Sequence, residues 1–254
     1  MNIMFRILAI LLVCWSFVSP AGAQRLERCY ESVLLLGDSN VYGALGHSLQ
    51  HDFQTNGSLV FREGKPGSGL ARPDFHNWPS EARFLVEIID PDIVVLMLGG
   101  NDIQRLRDTK GRFGEGIPWE DEDRWTREYR ERMTALVEGL KAADPASSKK
   151  DRRLVILSPT NRRPTMNRER VQRIVELQRE ELSTRQDVNW VDAFALTTAD
   201  TGRYLAKGYR NDGTVIPFRK SDGIHLTRAG ADDLAVRIRN ILFRGCPDST
   251  TAAR

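Results

Sequence analysis

Ser39 stands in Gly37-Asp38-Ser39-Asn40, directly after an apolar run and directly before a helical pattern. A serine at a strand-to-helix turn is exposed near the positive end of the helix dipole, where its hydroxyl can serve as a nucleophile if a base is at hand. Gly-Asp-Ser alone is also a common turn. Of the four histidines, His47, His51, His76 and His225, only the last has a carboxylate three residues before it, in Asp222-Gly223-Ile224-His225. That spacing lets Asp222 reach Nδ1 of His225, fix its tautomer and leave Nε2 free to take the Ser39 proton. Asp-x-x-His by itself also fits a metal fragment or a helix cap. Asn101, in Gly99-Gly100-Asn101-Asp102, follows another apolar run. Its amide can donate to an oxyanion developing on a nearby carbonyl, the plain alternative being a helix-capping asparagine. Taken together and in this order, the three blocks point to acyl transfer through a serine.

These residues need elements that bring them to one edge. Continuous apolar runs at 32–36, 58–62, 93–98, 154–157 and 188–191 read as five strands covered on both faces, as in a parallel sheet. Helical patterns lie between them: Val41, Leu45, Leu49 and Phe53; Phe84, Leu85 and Ile88; Tyr129, Met133, Leu136 and Leu140; Val171, Ile174, Val175 and Leu182. A last helix starts at the N-cap Thr227 and carries Leu234, Ile238, Ile241 and Leu242 on one face. Strict alternation predicts a three-layer α/β domain with right-handed crossovers. In such sheets ligands bind beyond the carboxyl ends of the strands, where all three blocks fall. Two Gly/Pro-rich segments, 64–79 and 105–123, are too long for simple connections and read as active-edge loops. Trp78, Trp119 and Trp125 in or beside them are expected either to form a stacking platform for sugar rings or to pack the loops down.

The blocks at 37–40, 99–102 and 222–225 together resemble the SGNH-hydrolase superfamily, the GDSL-type esterases and lipases, across nearly the whole chain after its first two dozen residues. The resemblance implies a flavodoxin-like three-layer α/β/α sandwich with a five-stranded parallel sheet, and an acyl-enzyme on Ser39 with Asp222 and His225 completing the triad. It also implies an oxyanion hole made of the Ser39 N–H, the Asn101 side chain and a glycine N–H, for which Gly67 and Gly69 in Lys65-Pro66-Gly67-Ser68-Gly69-Leu70 are both candidates. Asn40 departs from the leucine that many members carry. Finer features, including Gly69-Leu70-Ala71-Arg72-Pro73-Asp74-Phe75 and Asn101-Asp102-Ile103-Gln104, look like a secreted bacterial branch with a cell-envelope setting. Arg72, Gln104 and Arg105 are candidate substrate contacts. The expected substrate is an acyl ester, with the O-acyl group of an envelope glycan preferred. Transfer of the acyl group to a glycan hydroxyl and non-catalytic glycan binding are the alternative readings.

The remaining features set the compartment. The segment from Ile7 to Val18 is apolar and is followed by Pro20-Ala21-Gly22-Ala23, the pattern of a secretory signal cut after Ala23. The apolar run is shorter than the ~20 residues that span a bilayer, and Val13 before Cys14 does not suit a lipid anchor. No stable membrane anchor is therefore expected, and the protein is placed in the periplasm or outside the cell. Residues 24–246 are expected to form one domain and 247–254 a disordered tail. Only Cys29 and Cys246 remain after the signal, and in an oxidising compartment they suggest one disulfide. The net charge of +3 is too mild to imply nucleic acid. No cofactor or metal is expected, because Asp222 and His225 have no further ligands at metal-site spacing. The oligomeric state is left open by the sequence.

Overall fold

The computed structural model describes residues 32–110, 116–143, 152–209 and 213–243. The expected signal segment, both cysteines and the tail lie outside them. Five strands form the central sheet: β1 (Ser32–Gly37), β2 (Leu59–Gly64), β3 (Ile93–Met97), β4 (Arg153–Leu157) and β5 (Asn189–Val191). Their order is β2-β1-β3-β4-β5 and every pairing is parallel. This is the flavodoxin-like order, whose switch point lies between β1 and β3.

The central strands β1, β3 and β4 are covered on both faces because side chains alternate along them, whereas the edge strand β2 leaves Leu59 and Phe61 exposed, against the expectation that all five are covered. Leu34 and Leu36 of β1, Val94 and Leu96 of β3, and Leu154 and Ile156 of β4 pack with α3 (Trp78–Ile89), α4 (Glu122–Ala142) and α5 (Arg168–Leu182). Val33 and Leu35, Val95 and Met97, and Val155 and Leu157 face the other way, toward α2 (Ala44–Thr55) and α7 (Arg228–Leu242). Burying one such side chain contributes about 1.5–3 kcal/mol, which fixes the register of each strand.

The helical patterns differ from the expected ones in three places. The first breaks at Gly43 into α1 (Ser39–Tyr42) and α2, so the nucleophile opens a single turn of its own. In α3 the buried face is Trp78, Ala82 and Val86, spaced by four, whereas Phe84 and Ile88 are exposed. Of the expected face only Leu85 packs against the core, because the small and N-terminal residues of the helix, rather than Phe84 and Ile88, fill the space against the sheet. In α7 Ile241 is likewise exposed. Beyond the expected set, a short helix α6 (Ala193–Leu196) follows β5, and β6 (Lys207–Tyr209) pairs antiparallel with β7 (Val215–Pro217). That hairpin delivers the chain to Phe218–His225. Among the described residues no helix is long and apolar enough to cross a membrane.

Candidate active site

The carboxyl ends of β1, β2, β3 and β4 supply one edge. Ser39 follows β1, and Asp38 caps its turn: Oδ1 accepts from the Asn40 N–H at 2.9 Å and from the Asn40 side chain at 3.2 Å. Asn40 is thus buried as a hydrogen-bond partner of Asp38, which accounts for a polar residue at this position. Burial raises the Asp38 pKa, against the Asn40 hydrogen bonds and the nearby charges of Arg162 and His225.

His225 reaches Ser39 from the opposite side. Its Nε2 lies 2.8 Å from Ser39 Oγ and its Nδ1 2.8 Å from Asp222 Oδ2. The other Asp222 oxygen accepts the backbone N–H groups of Ile224 and His225 at 2.8 and 2.9 Å. Burial disfavours the charged form of Asp222, yet these N–H donors and the imidazole hold its pKa down at about 2. A carboxylate bound to one ring nitrogen makes that nitrogen the N–H, so Nε2 carries the lone pair facing the serine hydroxyl. The loop runs straight into α7, whose N-cap Thr227 accepts from the Gly230 N–H at 3.0 Å.

The oxyanion side is built from longer-range contacts. Asn101 donates one amide hydrogen to the Ser68 carbonyl at 2.9 Å, leaving the other for a ligand. Asp102 is fully buried and accepts from the Ala71 N–H at 2.8 Å and from the Tyr129 hydroxyl at 3.2 Å. Its pKa is pushed up to about 6 by burial, in spite of the N–H groups of Ala71 and Leu70 that favour its charge. Trp78 donates to Ser68 Oγ at 2.8 Å, and Ser68 donates to the Lys65 carbonyl at 2.6 Å. The 65–71 loop is therefore pinned at four points.

The two candidate glycines of that loop are not equivalent. A Cβ on Gly69 would lie 2.1 Å from Asp102 Oδ1, so glycine is required there by the buried carboxylate. The Gly69 N–H also shares a trans peptide with the Ser68 carbonyl that turns toward Asn101, so it points away from the Asn101 amide. Gly67 has φ +77° and open space around its Cα. A third glycine was missed: Gly64 ends β2 in register with Gly37, and a Cβ on it would lie 2.5 Å from the Tyr42 nitrogen. Its position at the very end of a strand, level with the nucleophile turn, was the available signal.

The three candidate contact residues have protein partners. Arg72 forks onto Asp74 at 2.7 and 2.8 Å, Gln104 braces the Asn101 carbonyl at 2.6 Å, and Arg105 donates to the Gly116 carbonyl at 3.0 Å. Trp78 and Trp125 are buried and tie down loops, the latter through the Gln104 carbonyl at 2.8 Å; Trp119 leans on Trp125 with ring centroids 4.5 Å apart. Of the two expectations for these tryptophans, loop packing holds for Trp78 and Trp125. Among the described residues no group of three or more His, Cys, Asp or Glu side chains is placed to hold a metal.

A parallel five-stranded sheet in this order is a flavodoxin-like α/β fold, and it carries the blocks at 37–40, 99–102 and 222–225 on one edge. The chain belongs to the family described as protein of unknown function DUF459, whose model matches residues 32–240. No curated protein matches the chain. Among solved structures it is similar to a lipase from a goat rumen metagenome, with a TM-score of 0.53 and 13% identity over 82% of this chain and 96% of the other. It is also similar to a catalytic mutant of the acetylxylan esterase Axe2 from Geobacillus stearothermophilus, with a TM-score of 0.51 and 18% identity over 83% and 93% of the two chains. At these identities the likeness is one of fold.

Proposed function

We propose that the protein is a serine-dependent ester hydrolase that works through an acyl-enzyme on Ser39. The observation that carries this reading is the unbroken chain Asp222 Oδ2–His225 Nδ1 and His225 Nε2–Ser39 Oγ, both links 2.8 Å, at the sheet edge where an open α/β fold binds ligands.

In this reading Ser39 Oγ attacks the ester carbonyl while its proton passes to His225 Nε2. The negative charge on the former carbonyl oxygen is met by the free amide hydrogen of Asn101, the Ser39 N–H and the backbone N–H of Gly64 or Gly67. Collapse breaks the carbon–oxygen bond, and the leaving alkoxide takes the proton from Nε2. Water then attacks the acyl-serine, gives a proton to Nε2, and the second collapse returns it to Oγ with release of the carboxylic acid. Asp222 stays ionised throughout and orients the ring.

The substrate of this reading is an acyl ester exported with, or met by, a secreted protein. Of the three tryptophans that could stack on a sugar ring, Trp78 and Trp125 are buried, so the ester bond itself is the claim. Incubation with p-nitrophenyl acetate tests it: turnover that vanishes in a folded Ser39→Ala variant supports it, and turnover that survives the change removes it.

A further inference from the structure

Three arginines surround the Asp222–His225 loop, and none has a carboxylate within ion-pair distance. They are Arg162 and Arg163, just past β4, and Arg219, just past β7, and the absence of an ion pair holds among the described residues. Elsewhere arginines are largely paired: Arg72 with Asp74, Arg132 with Glu128, Arg152 with Asp90, Arg179 with Asp192, Arg185 with Asp187 and Arg237 with Asp233. Arg162 and Arg219 are each only 6% exposed. Burying a cation without an ion-pair partner is costly, so two side by side at a candidate active site require an explanation.

Their contacts show what they hold. Arg162 donates to the Gly100 carbonyl at 2.8 Å. Arg219 donates to Thr160 Oγ1 at 3.1 Å and to the Ile224 carbonyl, one residue before His225, at 2.7 Å. Arg163 donates its backbone N–H to the Gly223 carbonyl at 2.9 Å and one guanidinium hydrogen to the Ser221 carbonyl at 2.9 Å. Its side chain packs closely against Gly223, where a Cβ would come within 2.8 Å of Nε; Gly223 also has φ +71°. Yet Nε of Arg162 and both Nε and Nη2 of Arg219 are buried without a partner. Burial pulls the Arg219 pKa down to about 10, with the charge of Arg162 acting in the same direction and that of Asp222 against it, so Arg219 remains charged at neutral pH.

The carboxylates of the edge are already engaged. Asp38 faces Arg162 across Gly100, each lying 3.0 Å from the point a Gly100 Cβ would occupy. Asp222 is held by His225 and two backbone N–H groups, and Asp102 by Tyr129 and the 70–71 backbone. Arg219 meets the charge of Asp222 only at longer range, and Arg163 forms no ion pair among the described residues, on the side of the loop that carries the base. Only Arg163 is half-exposed, with several of its five donors unspent.

We infer that Arg163, backed by the buried charge of Arg219, forms an anion-recognition site beside the triad, and that the preferred ester carries a carboxylate or phosphate close to its scissile bond. This rests on the acyl-enzyme reading and names its substrate class. A guanidinium fork suits either oxyanion, and a second cation in a low-dielectric wall strengthens the attraction.

The test compares three acetyl esters that differ only in the leaving group: methyl 4-acetoxybenzoate, which is neutral, 4-acetoxybenzoate, and 4-acetoxyphenyl phosphate. Each kcat/KM is divided by the ester's own uncatalysed hydrolysis rate. The expected result is a preference for at least one anionic ester of about tenfold or more, the scale of one charge-assisted hydrogen bond, that shrinks as salt is raised. Which anion gains more tells carboxylate from phosphate. Arg163→Gln should bring the ratio of anionic to neutral ester close to one, and Arg163→Lys should restore part of it. A purely structural role for Arg163 would lower all three esters together. Equal wild-type rates on neutral and anionic esters, or an anionic preference that survives Arg163→Gln, overturns the site while leaving the acyl-enzyme reading standing. Failure to hydrolyse any of the three overturns both.

Discussion

The two sides of the active edge are held in opposite ways. The acid–base pair of the base loop is set by contacts two and three residues long, with the side chains of Asp222 and His225 41% and 35% exposed. Only the loop's backbone carbonyls are held from farther along the chain, by Arg163 and Arg219. The oxyanion side is held by contacts that leap across the chain: Asn101 to Ser68, Asp102 to Ala71, Tyr129 to Asp102. There Ser68, Trp78, Asp102 and Tyr129 are all fully buried. The base loop can therefore be damaged chemically with little cost to the fold. The oxyanion side joins chemistry and stability in one buried network, because an unmatched donor in it costs about 1–3 kcal/mol.

Asp222→Asn sharpens this contrast most. An amide cannot enforce the productive tautomer, so kcat should fall by about 10⁴ while the melting temperature barely moves, the side chain being well exposed. A large loss of stability would show that the base loop is as integral to the core as the other side.

Asn101→Ala comes next. Losing one oxyanion donor should lower kcat roughly 10²–10³-fold. Because Asn101 also holds the Ser68 carbonyl, thermal unfolding should shift downward as well, which is the signature that separates it from Asp222→Asn.

Asp102→Asn probes the buried carboxylate itself. Its pKa of about 6 in the folded protein lies above the ordinary 3.8, so between those values the folded state holds a proton that the unfolded chain releases. Stability should therefore fall as pH rises from about 4 to about 6 and level off above. The total is on the order of 3 kcal/mol, about two pH units at 1.36 kcal/mol each. The amide keeps an oxygen for the Ala71 N–H and removes the ionisation, so this slope should be missing when the variant's unfolding is followed against pH. An unchanged slope would assign it to another group.

The smallest effect is expected at Arg72. Its guanidinium is spent on Asp74, and partly exposed pairs contribute about 0–1 kcal/mol, so Arg72→Ala should change kcat/KM less than about fivefold. A much larger drop in kcat/KM would make it a substrate contact after all.

The same contrast explains what could be read from the sequence. The five strands, their parallel arrangement and the blocks around Ser39, Asn101 and Asp222–His225 were legible because apolar runs, turns and i to i+3 pairs are local signals. The face of α3 was not: Phe84 and Ile88 look like core residues, but Trp78, Ala82 and Val86 fill the space against the sheet. The tryptophans read as candidate sugar platforms for the same reason, since burial is decided by distant partners. Gly64 showed only its place at a strand end, and the roles of Asp102, Arg162, Arg163 and Arg219 were invisible, because each is defined by a contact more than twenty residues away.

The most direct test of the account is the fate of Ser39 during turnover. Purified protein mixed rapidly with p-nitrophenyl acetate, then quenched and digested, should show a burst of p-nitrophenolate and one acetyl group on the peptide that carries Ser39. Ser39→Ala should unfold at the wild-type temperature and show neither burst nor adduct. An adduct on another residue, or undiminished turnover by the folded Ser39→Ala protein, would contradict the assignment of Ser39 as nucleophile.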